Sequence, residues 1–218
     1  GDFPWAETKS ENVSTKIESA AISPTGKRIV VEARGEIFTI PVENGDARNI
    51  TKSSGTADRL PLWSPDGKQL AYFSDADGKG YSMYLVDQDG TGTKRSLSLG
   101  ESKLAWEPVW SPDGKHIAFW QIDANQVRDY NMLNATDSVY SRVIPVEYPK
   151  VGQPPSPARI GVVAVSNGVL RWMNIEGDPK QHYITRMEWA DSREIVLQQL
   201  DRKQQESKLI ACQVADGS

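Results

Sequence analysis

"RLPLWSPDGKQLAYFSD", residues 59–75, contains a hexapeptide, WSPDGK at Trp63–Lys68, that returns letter for letter at Trp110–Lys115. A weaker copy, SPTGK, stands at Ser23–Lys27. Ser-Pro-Asp-Gly is a turn with a mechanism. Proline presets φ for the first central position, and Asp and Gly accept the tight or left-handed geometry that follows. The apolar runs on either side, PLW before and QLAYF after, read as the end of one strand and the start of the next. Downstream of residue 69 the chain alternates β-rich runs (QLAYFSD, YSMYLVD, KRSLSLG) with Asp/Gly turns (ADGKG, QDGTGT), which is the pattern of an antiparallel meander.

The same grammar recurs. SAAIS, RIVVEA and EIFTIPV form a unit ahead of this one; EPVW and HIAFWQI open a third; ITRMEW, EIVLQQL and SKLIACQV make a fourth, with Trp189 in the slot of Trp63 and Trp110. Ser23 to Ser64 is 41 residues and Trp63 to Trp110 is 47, within the period of a propeller blade. Trp110 to Trp189 is 79, but residues 124–157 lie between the second run of the third unit and ARIGVVAV. Removing those 34 residues returns the spacing to 45. The expectation is an all-β propeller of about four blades of four-stranded antiparallel meanders, with the last blade incomplete.

The expected boundaries are 18–58 for blade 1, 59–103 for blade 2, 104–182 for blade 3 with its insertion 124–157, and 183–218 for blade 4. Residues 1–17 are expected to complete the last blade, through SENVSTKI pairing as its missing strand; alternatively two chains associate into a larger ring.

Composition bounds the function. The 218 residues carry 25 basic and 29 acidic side chains, net −4, with no block of like charge. That removes the electrostatic reason to expect nucleic acid or an anionic membrane as partner. No apolar run approaches the ~20 residues that span a bilayer. The single cysteine, Cys212, precludes an internal disulfide and leaves the redox compartment open.

Catalytic inventory is thin. No G-x-S-x-G nucleophile elbow occurs, and the only histidines are His116 and His182. By repeat logic His116 takes the strand-start slot of Arg28 and Gln69, a surface position, and His182 falls in a KQHY linker. The expected set of catalytic residues is empty, as are those of metal ligands and cofactors: one cysteine and two distant histidines match no zinc spacing, and SDADGKG and VDQDGTG read as hairpin turns rather than calcium loops. Trp63, Trp110 and Trp189 are expected in packing between sheets.

The insertion is the candidate site. Its polar and aromatic residues include Arg128, Tyr130, Asn131, Arg142 and Tyr148, assigned here to peptide or partner binding. The other reading, that EYPK and PPSP only lace across neighbouring blades, stays open.

Residues 1–100, through STKIESAAISPTGKRIVVEARGEIFTIP and RLPLWSPDGK, resemble the N-terminal propeller of tricorn-type peptidases and the related TolB-like repeats. From Trp106, WSPDGKHIAFWQID, YNMLNATDSVYSRVIPVEYPKVGQ and YITRMEWADSREIVLQQLDR resemble the propeller of dipeptidyl peptidase IV-type prolyl peptidases. The resemblance implies a non-catalytic module that gates or positions peptides beside a serine-peptidase catalytic domain, in an extracytoplasmic (periplasmic or secreted) setting. The alternatives are a free-standing TolB-like interaction scaffold and a hybrid fragment without natural activity. Such peptidases clasp a substrate amine with paired glutamates ahead of this turn. Here SLGESKLAWEPVW holds only the separated Glu101 and Glu107, which implies poor discrimination for amino termini.

Overall fold

In the computed structural model, residues 12–78, 81–99, 105–137 and 139–218 are described; the expectations placed on residues 1–11 and on Glu101 lie outside them. The chain divides into two compact units, Gly1–Ser96 and Leu97–Ser218.

The first unit is built from two antiparallel meanders. Strands β1 (Ile17–Ile22), β2 (Arg28–Ala33), β3 (Glu36–Pro41) and β4 (Arg48–Asn49) lie side by side in chain order. A 3-10 turn at Ser14–Lys16 leads into β1. The second sheet repeats that order with β5 (Asp58–Trp63), β6 (Gln69–Ser74), β7 (Ser82–Asp87) and β8 (Arg95–Leu97). Between the two sheets Val30, Ile37, Ile50, Trp63, Leu70, Tyr72 and Val86 form a buried core. Tyr72 stacks on Tyr84 with ring centroids 5.8 Å apart.

The second unit holds a four-stranded sheet of β9 (Ala105–Trp110), β10 (His116–Ile122), β13 (Ala158–Ala164) and β14 (Leu170–Trp172). Strands β11 (Asp129–Asn134) and β12 (Arg142–Glu147) form a separate two-stranded hairpin between β10 and β13. A final sheet has three strands, β15 (His182–Trp189), β16 (Glu194–Asp201) and β17 (Ser207–Gln213). Its core joins Ile184, Met187, Ile195, Leu197 and Cys212 to Ala118, Ile160, Val162 and Met173 of the preceding sheet. Burial, then the Glu194 carboxylate, pushes the Cys212 thiol up from its ordinary range, so it is held as a neutral packing group. The all-β, repeated-meander expectation holds, as does the short fourth sheet.

The repeated turn is wired identically each time. Ser64 N donates to Gln69 O at 2.9 Å and Gly67 N to Ser64 O at 2.8 Å; Ser111 N donates to His116 O at 2.9 Å and Gly114 N to Ser111 O at 2.9 Å. The serine hydroxyl donates to the turn aspartate, Ser64 to Asp66 and Ser111 to Asp113, both at 2.7 Å. It also accepts the amide of the next strand's first residue, from Gln69 at 2.9 Å and His116 at 3.0 Å. Gly26, Gly67 and Gly114 all have φ of 69°, the left-handed region in which only glycine avoids a steric cost. In the fourth unit Asp191 does both jobs, accepting the amides of Arg193 at 2.6 Å and Glu194 at 2.9 Å.

Two further features repeat. The amide after each third strand returns to the residue that closes the turn: Val42 N to Lys27 O, Gln88 N to Lys68 O, Val165 N to Lys115 O and Val214 N to Arg193 O, at 2.8–3.0 Å. The tryptophan at the end of a first strand reaches the first strand of the sheet before it, Trp63 Nε1 to Ala21 O and Trp189 Nε1 to Val109 O, both 3.2 Å. Those bonds satisfy the buried Trp63 indole and the half-buried Trp189 indole while tying neighbouring sheets together.

Two histidine expectations are corrected. His116 is half-buried rather than on the surface, its ring centroid 6.5 Å from that of Trp189. His182 opens β15 and is buried instead of lying in a linker, because the 3.6-residue and period-two patterns give no warning of a strand starting at KQHY.

Candidate functional site

The insertion leaves the sheet between two paired neighbours. Strands β10 and β13 run together from His116↔Ala164 to Ile122↔Ala158, and Asp123 N donates to Pro157 O at 2.9 Å, which closes the base. From that base the β11–β12 hairpin pairs Asp129↔Glu147, Tyr130↔Val146, Met132↔Ile144 and Asn134↔Arg142. Its tip is an Asx turn, Asn134 Oδ1 accepting the amides of Thr136 at 3.0 Å and Asp137 at 3.3 Å. Asp137 Oδ2 then accepts from Asn134 Nδ2 at 2.6 Å and from Arg142 Nη2 at 2.7 Å.

Strand alternation sorts the candidate residues. Tyr130 and Met132, with cross-strand Val146 and Ile144, share one face; Asn131 and Pro145 share the other. The first face is apolar and solvent-facing, with Tyr130 43%, Met132 52% and Tyr148 61% exposed. Tyr130 and Tyr148 are tilted together with ring centroids 6.3 Å apart, and Lys150 Nζ stands 4.4 Å over the Tyr130 ring. A cation over an aromatic face is favourable, by about 0.5–1 kcal/mol at an exposed site.

At the root of the hairpin a groove of about 490 Å³ is lined by Arg128, Tyr130, Tyr148, Lys150, Pro154 and Lys180, among others. Its walls are anchored: Lys180 Nζ donates to Gln126 Oε1 at 2.9 Å and Arg202 Nη2 to Gln153 O at 3.0 Å. The structure therefore brings Arg128, Tyr130 and Tyr148 together. Arg142 is at the tip in an exposed ion pair with Asp137, and Asn131 is on the opposite face. Sequence reading missed Met132, Val146, Lys150 and Lys180. The period-two run of Tyr130–Met132 and Ile144–Val146 carried the signal for the first two. Lys180 arrives from 54 residues away from Gln126, beyond any local pattern.

Glu107 is exposed and has φ of 43°, in a strand whose pairing with β10 carries a β-bulge. Every first strand is bulged in this way, β1, β5, β9 and β15 alike. Among the described residues no cluster of three or more His, Cys, Asp or Glu side chains is arranged to hold a metal ion. None of the described helical segments is long and apolar enough to cross a membrane.

Comparison with known proteins places these features. The family described as the dipeptidyl peptidase IV (DPP IV) N-terminal region matches residues 99–218. No curated protein sequence matches the chain. Among solved structures, Porphyromonas gingivalis dipeptidyl peptidase 4 aligns with a TM-score of 0.74 at 20% identity, over 90% of this chain and 31% of that one. The tricorn protease aligns at 0.52 and 14%, over 88% and 22%. TolB from Acinetobacter baumannii aligns at 0.46 and 18%, over 88% and 42%. The chain thus spans under a third of the length of the first structure it matches. At these identities the likeness is one of fold, carried by the first two.

Proposed function

The chain belongs to the dipeptidyl peptidase IV N-terminal region family, and from that premise we propose that it is a non-catalytic propeller module of a serine peptidase that gates or positions peptide substrates. The observation that carries this reading is the groove at the root of the β11–β12 hairpin. There two tyrosines offer flat apolar contact, and Arg128, Lys150 and Lys180 offer charge-assisted donors to peptide carbonyls or carboxylates. Aromatic surface with a few placed donors suits extended peptides of varied sequence. Supporting a positioning role, the groove's walls are tied to flanking segments by the Lys180–Gln126 and Arg202–Gln153 hydrogen bonds.

The exposed apolar face of Tyr130, Met132 and Val146 favours a second, compatible role in contacting a peptidase catalytic domain or another copy of this chain. Fluorescence titration of the purified chain with proline-containing peptides tests the first role. Binding should weaken about tenfold or more when Tyr130 and Tyr148 are both replaced by alanine, while Asn131→Ala leaves it unchanged. Equal loss in both variants would remove the groove from the reading.

A further inference from the structure

The groove at the root of the β11–β12 hairpin carries more cations than carboxylates, in a chain whose net charge is −4. Its cations are strung along one arm of the root: Lys180 bonded at Gln126, then Arg128, then Lys150 over the ring of Tyr130. The carboxylates in the lining are Asp123 and Asp129, and both are turned to other uses. Asp123 Oδ1 accepts Asn125 N at 2.9 Å, which commits it to its own turn. Asp129 begins β11 and by alternation shares the face of Asn131, opposite that of Tyr130.

Several exposed cations of this chain stand beside a carboxylate: Lys68 beside Asp66 at 3.7 Å, Lys115 beside Asp113 at 3.5 Å and Arg142 beside Asp137 at 2.7 Å. Among the described residues, Arg128, Lys150 and Lys180 form no such ion pair. What holds Lys180 and Lys150 is neutral, an amide oxygen and an aromatic ring, so each keeps its full charge and further donors for a ligand. Pro149, Pro154, Pro155 and Pro157 also line the groove. Proline has no amide to donate, so that part of the lining cannot take a peptide by strand pairing, and selectivity falls to side chains.

We propose that this groove selects acidic peptides: an extended, proline-bearing segment whose side-chain carboxylates lie along Lys180, Arg128 and Lys150 while its prolines pack on Tyr130 and Tyr148. The inference rests on the peptide-binding reading above and narrows its ligand class. Carboxylates form charge-assisted hydrogen bonds with such donors. Charge complementarity of this kind sets selectivity and encounter rate more than raw affinity. Cations spread over successive positions suit a segment with several carboxylates better than a single C-terminal one.

The test is isothermal titration calorimetry of the full chain with acetylated, amidated Glu-Pro-Ala-Glu-Pro-Ala and its glutamine-for-glutamate counterpart. At low salt the glutamate peptide should bind about tenfold tighter, about threefold for each carboxylate, and the ratio should shrink as salt is raised. Lys150→Gln should reduce the ratio to about threefold, whereas Lys68→Gln, which removes the same charge from the first unit, should leave it unchanged. Equal affinity for the two peptides, both weakened when Tyr130 and Tyr148 are replaced by alanine, would overturn the acidic preference and leave the peptide-binding reading standing. Binding of neither peptide would overturn both. A ratio that Lys150→Gln leaves intact would remove the preference from this groove. If the glutamine peptide with a free C-terminus binds as tightly as the glutamate peptide, the side-chain source is overturned.

Discussion

Ser111 shows how much one side chain does here. It is fully buried, donates to Asp113 at 2.7 Å and accepts His116 N at 3.0 Å, so its removal leaves a strand amide without a partner at the moment two strands must join. Ser111→Ala should cost about 1–3 kcal/mol, the penalty of a buried unsatisfied group, read as a lower urea midpoint with unchanged slope. Burial tends to raise the Asp113 carboxyl, but the Ser111 hydroxyl and the Lys115 amide outweigh it and hold the group below its usual range. His182 is moved the other way by a different cause: burial lowers its pKa, against a smaller opposing pull from Asp178. A depressed histidine contributes stability that is complete above its unfolded value of about 6.5 and is lost as pH falls through the folded value. Between pH 7 and pH 5 the wild-type urea midpoint should therefore fall, and His182→Asn should show a smaller fall. An equal fall in both would assign the acid sensitivity elsewhere.

At the scale of elements, the third sheet is assembled around a missing side chain. Gly161 pairs with Phe119 on one side and Trp172 on the other. Those rings meet edge to face at 5.8 Å over the glycine, and a Cβ there would come within 2.7 Å of Phe119 Cζ and 2.8 Å of Trp172 Cζ3. Arg159 lies 3.6 Å over the Trp172 ring and is held by a hydrogen bond from Nε to Gln121 Oε1. Gln121 in turn donates to Leu99 O at 3.2 Å. Gly161→Ala should lower stability by about 1–3 kcal/mol through overpacking, and should shift the Trp172 fluorescence as the ring is displaced. Gly168→Ala, with only Leu97 at 4.0 Å, would be limited by its positive φ instead and should leave that signal in place. The hairpin is the contrasting element. It hangs from a tied base and ends in an ion pair between Arg142 and Asp137 that is more than half exposed on both sides. Such a pair is worth about 0–1 kcal/mol, so Arg142→Ala should change stability little.

For the whole chain, the expected outcome concerns chemistry. Incubation with chromogenic Xaa-Pro and longer peptide substrates should give no turnover sensitive to a serine-directed inhibitor. The physical basis is the lack of a nucleophile elbow in the sequence, together with the roles both histidines already fill: His116 packs beside Trp189, and His182 starts a strand. Inhibitor-sensitive turnover would overturn this expectation. Peptide binding without turnover is the behaviour expected under the proposed positioning role.

What the sequence determined by itself is what short-range physics encodes. Ser-Pro-Asp-Gly can hardly avoid a turn, period-two runs beside it can hardly avoid pairing, and the period near 45 makes each pair a copy of the last. From these came the all-β repeated meander and the three-stranded last sheet; the family was legible only through the resemblance of longer segments such as YNMLNATDSVYSRVIPVEYPKVGQ. The tertiary structure decided the rest, because it depends on groups distant along the chain. His182 is buried by the neighbours it meets, not by its own segment. The groove joins Tyr130 to Lys180, and Asn131 leaves the candidate site simply because adjacent strand residues face opposite ways. Alternation is legible in a sequence once a strand is known to be there, but which face meets solvent and which lysine crosses to it are settled only when the sheets pack.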